Sequence, residues 1–410
     1  VSRGIETIGI LGGGQLGRML TLEAKRMGYR VVTLEPLPNS PCGQVADEQI
    51  VAAYDDLRAI GELGARSDVV TYEFENIPLE SVRALENDGR LVRPSGDVLR
   101  ITQDRILEKT FVDEIFREED PRRNVSHEDG SRRDTRRIVA PFAAVNDAVS
   151  LDAAIAAIGF PAVIKTARGG YDGKGQWVVR DDAQARDALA AARGAALIYE
   201  RFVPFDLEVS VICARGSDGT IVSFPVTENQ HDHGVLATTI VPARIAPAVA
   251  EDVRRAAEWI GEKLAIVGAY CVEFFVKDGA IYVNEIAPRV HNSGHYSLDA
   301  TQISQYEAHV RAICDLPLVE PKLFEPAVMI NILGSGSGDY LDGVDALLRD
   351  PDVKLHVYGK RHAALRRKMA HFTVLAPTID AALAKADAGR GLLSWTPASP
   401  RERAARASLA

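Results

Sequence analysis

The run from Pro161 to Gln176, Pro-Ala-Val-Ile-Lys-Thr-Ala-Arg-Gly-Gly-Tyr-Asp-Gly-Lys-Gly-Gln, restricts the fold more than any other stretch of the chain. An apolar strand carries Lys165 to a loop holding Gly169, Gly170, Gly173 and Gly175 with Tyr171, Asp172 and Lys174, and Gln176-Trp177-Val178-Val179 continues as a second strand. A Walker box needs its lysine followed by Ser or Thr at the opening of a helix, so this strand, loop and strand form a different device. Glycines let backbone N–H groups turn toward an anion, while Lys165 and Lys174 act as point charges on phosphate oxygens. Gly-Lys-Gly alone would be a basic surface turn. The whole run points instead to a phosphate clamp in a flap.

The first hundred residues alternate strand and helix patterns. Ile8-Gly9-Ile10-Leu11 is followed by a glycine turn and a helix through Lys25, then by Arg30 to Glu35 and later by Asp68 to Glu73, which predicts a parallel α/β sheet. The turn Gly12-Gly13-Gly14-Gln15-Leu16-Gly17, with Glu35 at the end of the next strand, matches the dinucleotide fingerprint. An oxidoreductase gripping NAD is therefore the rival reading, although such a helix N-terminus can hold a single phosphate equally well.

At 410 residues the chain exceeds what one core usually organises. Three units are expected: a Rossmann-like α/β domain over 1–101, a largely antiparallel α+β domain over 102–320, and a small C-terminal domain over 321–395. Residues 396–410 are expected to be a disordered tail. Within the middle unit, Ser217-Asp218-Gly219 and Lys277-Asp278-Gly279 mark hairpins. Arg117 to Arg137 carries seven arginines and six acids around a lone aliphatic Val125, which predicts a solvated insertion. The Gly334-Ser335-Gly336-Ser337-Gly338 run reads as a flexible connection.

A net charge of −9 argues against a general nucleic-acid binder. The four cysteines lack metal or disulfide spacing, no apolar run reaches membrane-spanning length, and no leader precedes the strand at Thr7, so a cytoplasmic setting is expected.

Glu273 and Glu285 lie on the two arms of the second hairpin, in strands that are otherwise strongly apolar, where a carboxylate is costly unless paired or bound to a cation. Register decides whether they can share one. A two-residue Asp278-Gly279 turn puts Glu273 opposite Asn284 and sends Glu285 to the other face. A three-residue loop pairs Val283 with Glu273 and Cys271 with Glu285, leaving both acids on one face. The second register is expected, and with it a Mg²⁺ site beside the phosphate clamp. The hairpin runs into Ala287-Pro288-Arg289-Val290-His291-Asn292-Ser293-Gly294-His295, a donor-rich loop in which Arg289 would hold an anionic oxygen while Asn292, Ser293 and His295 donate to a small carboxylate-like group. Glu228-Asn229-Gln230-His231 is either a second polar site or a surface turn.

The glycine turn through Met19, Tyr72-Glu73-Phe74-Glu75-Asn76-Ile77-Pro78, the Gly169–Gln176 loop, the Asn284–His295 run and Tyr358-Gly359-Lys360 together resemble the N5-carboxyaminoimidazole ribonucleotide synthetases, ATP-grasp ligases of purine biosynthesis. The resemblance spans nearly the whole chain and implies an ATP-grasp fold with a preATP-grasp N-terminal domain. It puts ATP between two antiparallel sheets, with Arg105, Lys165 and Gly170, Tyr171, Asp172, Gly173, Lys174, Gly175 and Gln176 at its phosphates. Glu200, Phe202 and Val203 would line the adenine pocket, Glu208 would hold the ribose, and His231 and Asn284 are similar to nucleotide-site positions. Glu273 and Glu285 would bind Mg²⁺. Gly14, Gln15, Glu73, Tyr171 and Asp172 would surround the aminoimidazole, and Lys360 and Arg367 its phosphate. Asp172 and His295 would manage the amine proton beside Arg289.

The implied reaction joins bicarbonate to 5-aminoimidazole ribonucleotide with ATP as the driver, in a homodimer. Another carboxylating or formyl-transferring ATP-grasp ligase is the alternative within the superfamily. The chain departs from the family's Pro-Gly-Arg-Lys-Met-Gly-His at two glycines, replaced by Arg366 and Ala370, and at the charged insertion.

Overall fold

The computed structural model describes residues 4–119, 138–170, 175–336, 338, 340–360 and 362–397. Tyr171, Asp172, Gly173 and Lys174, most of the charged insertion and the last thirteen residues lie outside them. The insertion's first two residues, Arg117 and Glu118, end the helix Arg105–Glu118, where Arg117 pairs with Asp113 one turn back.

The N-terminal sheet has four parallel strands in the order Glu48–Ile50, Arg30–Leu34, Thr7–Leu11, Val69–Tyr72. Residues 8–11, 31–34 and 69–72 are buried throughout, as expected for parallel strands covered on both faces.

A second, four-stranded antiparallel sheet runs Phe142–Val145, Leu197–Arg201, Ala162–Thr166, Gln176–Val179. Lys165 pairs with Gln176 and the Thr166 amide donates to the Gly175 carbonyl, which closes the described base of the flap. Helices Ala148–Ile158 and Asp182–Ala191 cover it, their Leu151, Ala154, Ala185 and Ala188 packing with Ile164 and Tyr199.

The third sheet has nine strands. Its path is Ala280–Ala287, Gly268–Lys277, Leu207–Arg215, Thr227–Asp232, Val235–Val241, Ala327–Leu333, Lys368–Leu375, Val353–Val357, every junction antiparallel, with Ile221–Ser223 added on Leu207–Arg215. Glu228 to His231 therefore belong to an inner strand, and Glu228 is buried against Arg244. The surface-turn alternative fails there.

The second hairpin corrects the expected register. Its turn is the two-residue Asp278-Gly279, both residues at positive φ, with Lys277 opposite Ala280 and Phe274 opposite Val283. Continued regularly, that register would send the two acids to opposite faces. A bulge instead inserts Asn284, so Glu273 faces Glu285 directly and Cys271 faces Ala287. Both carboxylates reach one face by a route the turn chemistry does not reveal.

Two other expectations change. Thr396 is not tail: Ser394–Thr396 pairs with Tyr340–Asp342, and the Trp395 indole donates to the Leu333 carbonyl. The glycine-serine run is docked where described, its Gly334 amide on Arg367 O and its Gly334 carbonyl accepting from the Arg366 amide, both at 2.8 Å. Among the described residues, no helix is long and apolar enough to cross a membrane, and all four cysteines are free and buried.

Candidate active site

The glycine turn is already occupied by the protein itself. Both oxygens of Glu73 accept from backbone amides at the start of helix Gln15–Arg26, those of Gly14 and Gly17, and Glu35 accepts from the Gly13 amide at 2.9 Å and from the Tyr54 hydroxyl. Gly12 has φ +122° and a Cβ there would lie 2.3 Å from Glu73, so only glycine admits this carboxylate. Three of the amides that a dinucleotide pyrophosphate would need, those of Gly13, Gly14 and Gly17, already bond carboxylates, whose charge faces the positive end of the helix. Titration with NAD is expected to give no binding heat at millimolar concentration.

A cavity of about 730 Å³ opens between the second and third sheets. Its wall includes Arg105, Lys165, Gly170, Gly175, Gln176, Glu200, Phe202, Val203, Glu208, His231, Asn284 and Glu285, so every described residue of the expected nucleotide set converges there. Glu273, Gln15, Arg289 and Asn292 join them. The volume lies in the range of small-molecule sites.

On one wall Glu200 is 4% exposed and lies 2.7 Å from Lys165 and 3.3 Å from Lys109. Burial would raise its carboxyl, and the two ammoniums overcome this, holding it down at about 2. Burial pulls Lys165 below its ordinary value in spite of Glu200. Lys165 also reaches the Asn284 side chain at 3.4 Å. Glu200 thus acts as the counterion that keeps two cations at the cavity, as well as contributing to its wall.

Opposite them, the bulge sets Glu273 against Glu285. Burial first, then the Glu285 charge, pushes Glu273 up to about 7. Arg105 holds Glu285 at 3.2 Å, and His291 Nε2 lies 3.5 Å from Glu273. Burial keeps His291 neutral, well below the usual histidine range. Two hard oxygen donors facing each other in a buried place suit a divalent cation, which relieves the repulsion. His231 Nδ1 pairs with Glu208 on the same side.

The donor-rich loop divides. Arg289 lines the cavity but is held by Glu75, whose carboxyl it keeps below the usual range against the opposing effect of burial. Asn292 lines the cavity while exchanging hydrogen bonds with Asn331. Ser293 is fully buried, its hydroxyl 2.8 Å from Ser210 and 2.9 Å from His291. His295 is also fully buried, with Nδ1 2.9 Å from the Tyr306 hydroxyl and its ring 4.7 Å from that of His371. Neither side chain lines the cavity wall: the Ser293 hydroxyl is spent on core partners, whereas His295 bonds only through Nδ1 and its buried Nε2 has no hydrogen-bond partner among the described residues. The expected contact of Ser293 and His295 with substrate is thus not offered from the wall of this cavity.

Lys360 and Arg367 also lie off the wall of this cavity. Lys360 Nζ donates to Lys368 O at 2.6 Å and its charge is felt at Glu73, while Gln44 ties the Gly359 carbonyl to the first unit at 3.1 Å. Gly14, Gln15, Glu73 and Lys360 are therefore neighbours at the junction of the N- and C-terminal parts. Sequence reasoning missed Glu75, Glu108, Lys109 and Lys368. The spacing of Arg105, Glu108 and Lys109 on one helical face was the available signal.

Family models match in chain order: a ribonucleotide synthetase preATP-grasp domain over residues 5–103, an ATP-grasp domain over 133–306, and a phosphoribosylaminoimidazole carboxylase C-terminal domain over 327–385. The N5-carboxyaminoimidazole ribonucleotide synthase of Brucella melitensis biotype 1 is 45% identical over 90% of this chain and 96% of its own length. The chain belongs to the N5-carboxyaminoimidazole ribonucleotide synthase family. The Bacillus subtilis member is 41% identical over 90% of this chain and 91% of its own. An N5-carboxyaminoimidazole ribonucleotide synthetase solved as its ADP complex superposes with a TM-score of 0.84 at 43% identity, covering 95% of this chain and 97% of that one. The Aspergillus clavatus synthase, solved with ADP and 5-aminoimidazole ribonucleotide, gives 0.83 at 27% identity, covering 95% and 98%.

Against the family's glycine pattern, Arg366 stands at φ +60°, a left-handed conformation that costs a non-glycine residue about 1 kcal/mol. Ala370 is a regular strand residue opposite Ile332, where a methyl group fits. Arg366→Gly is expected to raise stability by about 0.5 kcal/mol in urea melts, the relieved strain being partly offset by a freer unfolded chain.

Proposed function

We propose that this protein carboxylates 5-aminoimidazole ribonucleotide at its exocyclic amine, using ATP and bicarbonate and releasing ADP and phosphate. The observation that carries the reading is the acid pair Glu273 and Glu285 on the same cavity as Lys165 and Arg105, within a family whose members bear that activity in their names. Unit boundaries at 1–101, 102–320 and from 321 through the paired Thr396, a cytoplasmic setting and a homodimer complete the proposal.

Glu273 and Glu285 would hold Mg²⁺, which when bound neutralises charge on the nucleotide phosphates. Lys165 and Arg105 orient the γ-phosphate, with Gly170, Gly175 and Gln176 and the loop residues Tyr171, Asp172, Gly173 and Lys174 enclosing it. Glu200, Phe202, Val203, Glu208, His231 and Asn284 seat the nucleoside. A bicarbonate oxygen attacks the γ-phosphorus, the bond to the β-bridging oxygen breaks, and carboxyphosphate and ADP form. The amine then attacks the carboxyl carbon, phosphate leaves, and the amine proton passes to Asp172. Phosphoryl transfer needs positioning and charge neutralisation more than covalent help. Carboxyphosphate hydrolyses readily, so the glycine-rich loop must exclude water before it forms. Gln15, Gly14 and Glu73 would face the imidazole, Arg289 and Asn292 the bicarbonate, and Lys360 and Arg367 the ribonucleotide phosphate.

Phosphate release is expected to require both 5-aminoimidazole ribonucleotide and bicarbonate. Release that instead requires formate and glycinamide ribonucleotide would replace this reading with the formyl-transferring one.

A further inference from the structure

Two adjacent side chains on helix Arg105–Glu118 bracket a short piece of the second acid strand. Glu108 Oε2 accepts from the Ile286 amide at 2.9 Å, and Lys109 Nζ donates to the Val283 carbonyl at 2.6 Å. Between these anchored groups lie Asn284, the bulged residue, and Glu285. Arg105, one turn earlier, holds Glu285 itself.

The strand Ala280–Ala287 ends its sheet, so no neighbouring strand fixes its outer backbone groups; on the main chain the Val283 amide donates to the Ile138 carbonyl at 2.7 Å, on the near side of the bulge, and the Ile286 amide beyond the bulge is left to Glu108. A one-residue slip that removed the bulge would carry Glu285 to the opposite face, away from Glu273. Something outside the sheet must hold it. Glu108 is 1% exposed, and its other oxygen, Oε1, has no hydrogen-bond partner among the described residues. A leucine would fill such a position at lower cost if packing were its only duty.

We infer that Glu108 is a positioning residue for the acid pair: by holding the Ile286 amide it fixes the bulge that turns Glu285 toward Glu273. The inference rests on reading that pair as a divalent-cation site, and it assigns Glu108 no contact with nucleotide or bicarbonate.

Mn²⁺ affinity of the full-length protein's ADP complex, followed by water-proton relaxation, tests it without turnover. Glu108→Leu is expected to weaken Mn²⁺ binding about tenfold or more, as loss of a supporting partner does at metal sites, with unchanged circular dichroism. Glu108→Gln keeps an acceptor oxygen and is expected to stay within about threefold of the parent. A parent-like Mn²⁺ affinity in Glu108→Leu overturns the inference, as does an equal loss in Glu108→Gln. If Glu108→Leu fails to fold, Glu108→Asp decides, because its shorter side chain is withdrawn from the amide. Weakened Mn²⁺ binding then supports the inference, and parent-like binding overturns it. Glu285→Gln separates the two levels: unchanged Mn²⁺ affinity there removes the cation reading itself, whereas weakening there with none in Glu108→Leu removes only the role of Glu108.

Discussion

Glu285→Ala is expected to lower ATP-dependent turnover about 10³-fold, because a divalent ion contributes several kcal/mol of charge stabilisation during phosphoryl transfer and this substitution halves its protein ligands. The fold should survive. The Glu285 side chain is 32% exposed, and its charge is one of the causes that push Glu273 up to about 7, so its loss relieves repulsion. Arg105 loses its direct partner but keeps the field of the ionised Glu200. Steady-state kinetics over a Mg²⁺ titration, with thermal melts beside them, check the result. Parent-like turnover would remove the metal assignment, and a collapsed melt would make the acid a structural group.

Glu200→Leu should be the most destabilising change in the site, at about 3 to 5 kcal/mol, because it strands the Lys109 and Lys165 ammoniums in a buried place with no counterion. The pH dependence carries a sign that can be checked. The Glu200 carboxyl is depressed from 4.5 to about 2 on folding, so its contribution is fully present above pH 4.5 and is lost as pH falls toward 2. That shift corresponds to about 3 kcal/mol. Urea melts should therefore show parent and variant well separated at pH 7 and converging as the pH drops from 4.5 to 2. A gap that does not narrow across that window would mean that packing, and not the ion triad, accounts for the loss.

What could be read in the chain followed from local chemistry. The fully buried parallel strands announce themselves as unbroken apolar runs, the Asp-Gly pairs mark both hairpins, and Lys165 at the end of an apolar strand marks the clamp. The acid pair was legible in identity but not in register, since no glycine or proline flags the bulge at Asn284. Glu73 seals a glycine turn some sixty residues earlier in the chain, a contact that only the parallel sheet creates. Ser293 looks like an available donor because its neighbours are polar, yet those neighbours, Ser210 and His291, are the partners that consume it, and Tyr306 takes the Nδ1 side of His295. Glu108 and Lys109 pass for ordinary helix-surface charges until the helix is laid against the edge strand.

The nine-stranded sheet has a mechanical consequence. Its strands from both the middle and C-terminal parts are stitched by main-chain hydrogen bonds, so parting them would break a ladder, whereas the four-stranded sheet meets it across the cavity through side chains such as Lys165 with Asn284, and through Lys109 of the helix Arg105–Glu118, which touches Glu200 of one sheet and the Val283 carbonyl of the other. Nucleotide entry and ADP exit then fall to tilting of the smaller sheet as a jaw on a fixed plate. Lys165 and Glu200 ride together on the smaller sheet, so the contact of Lys109 with Glu200 is the latch that such a tilt would strain and let reset.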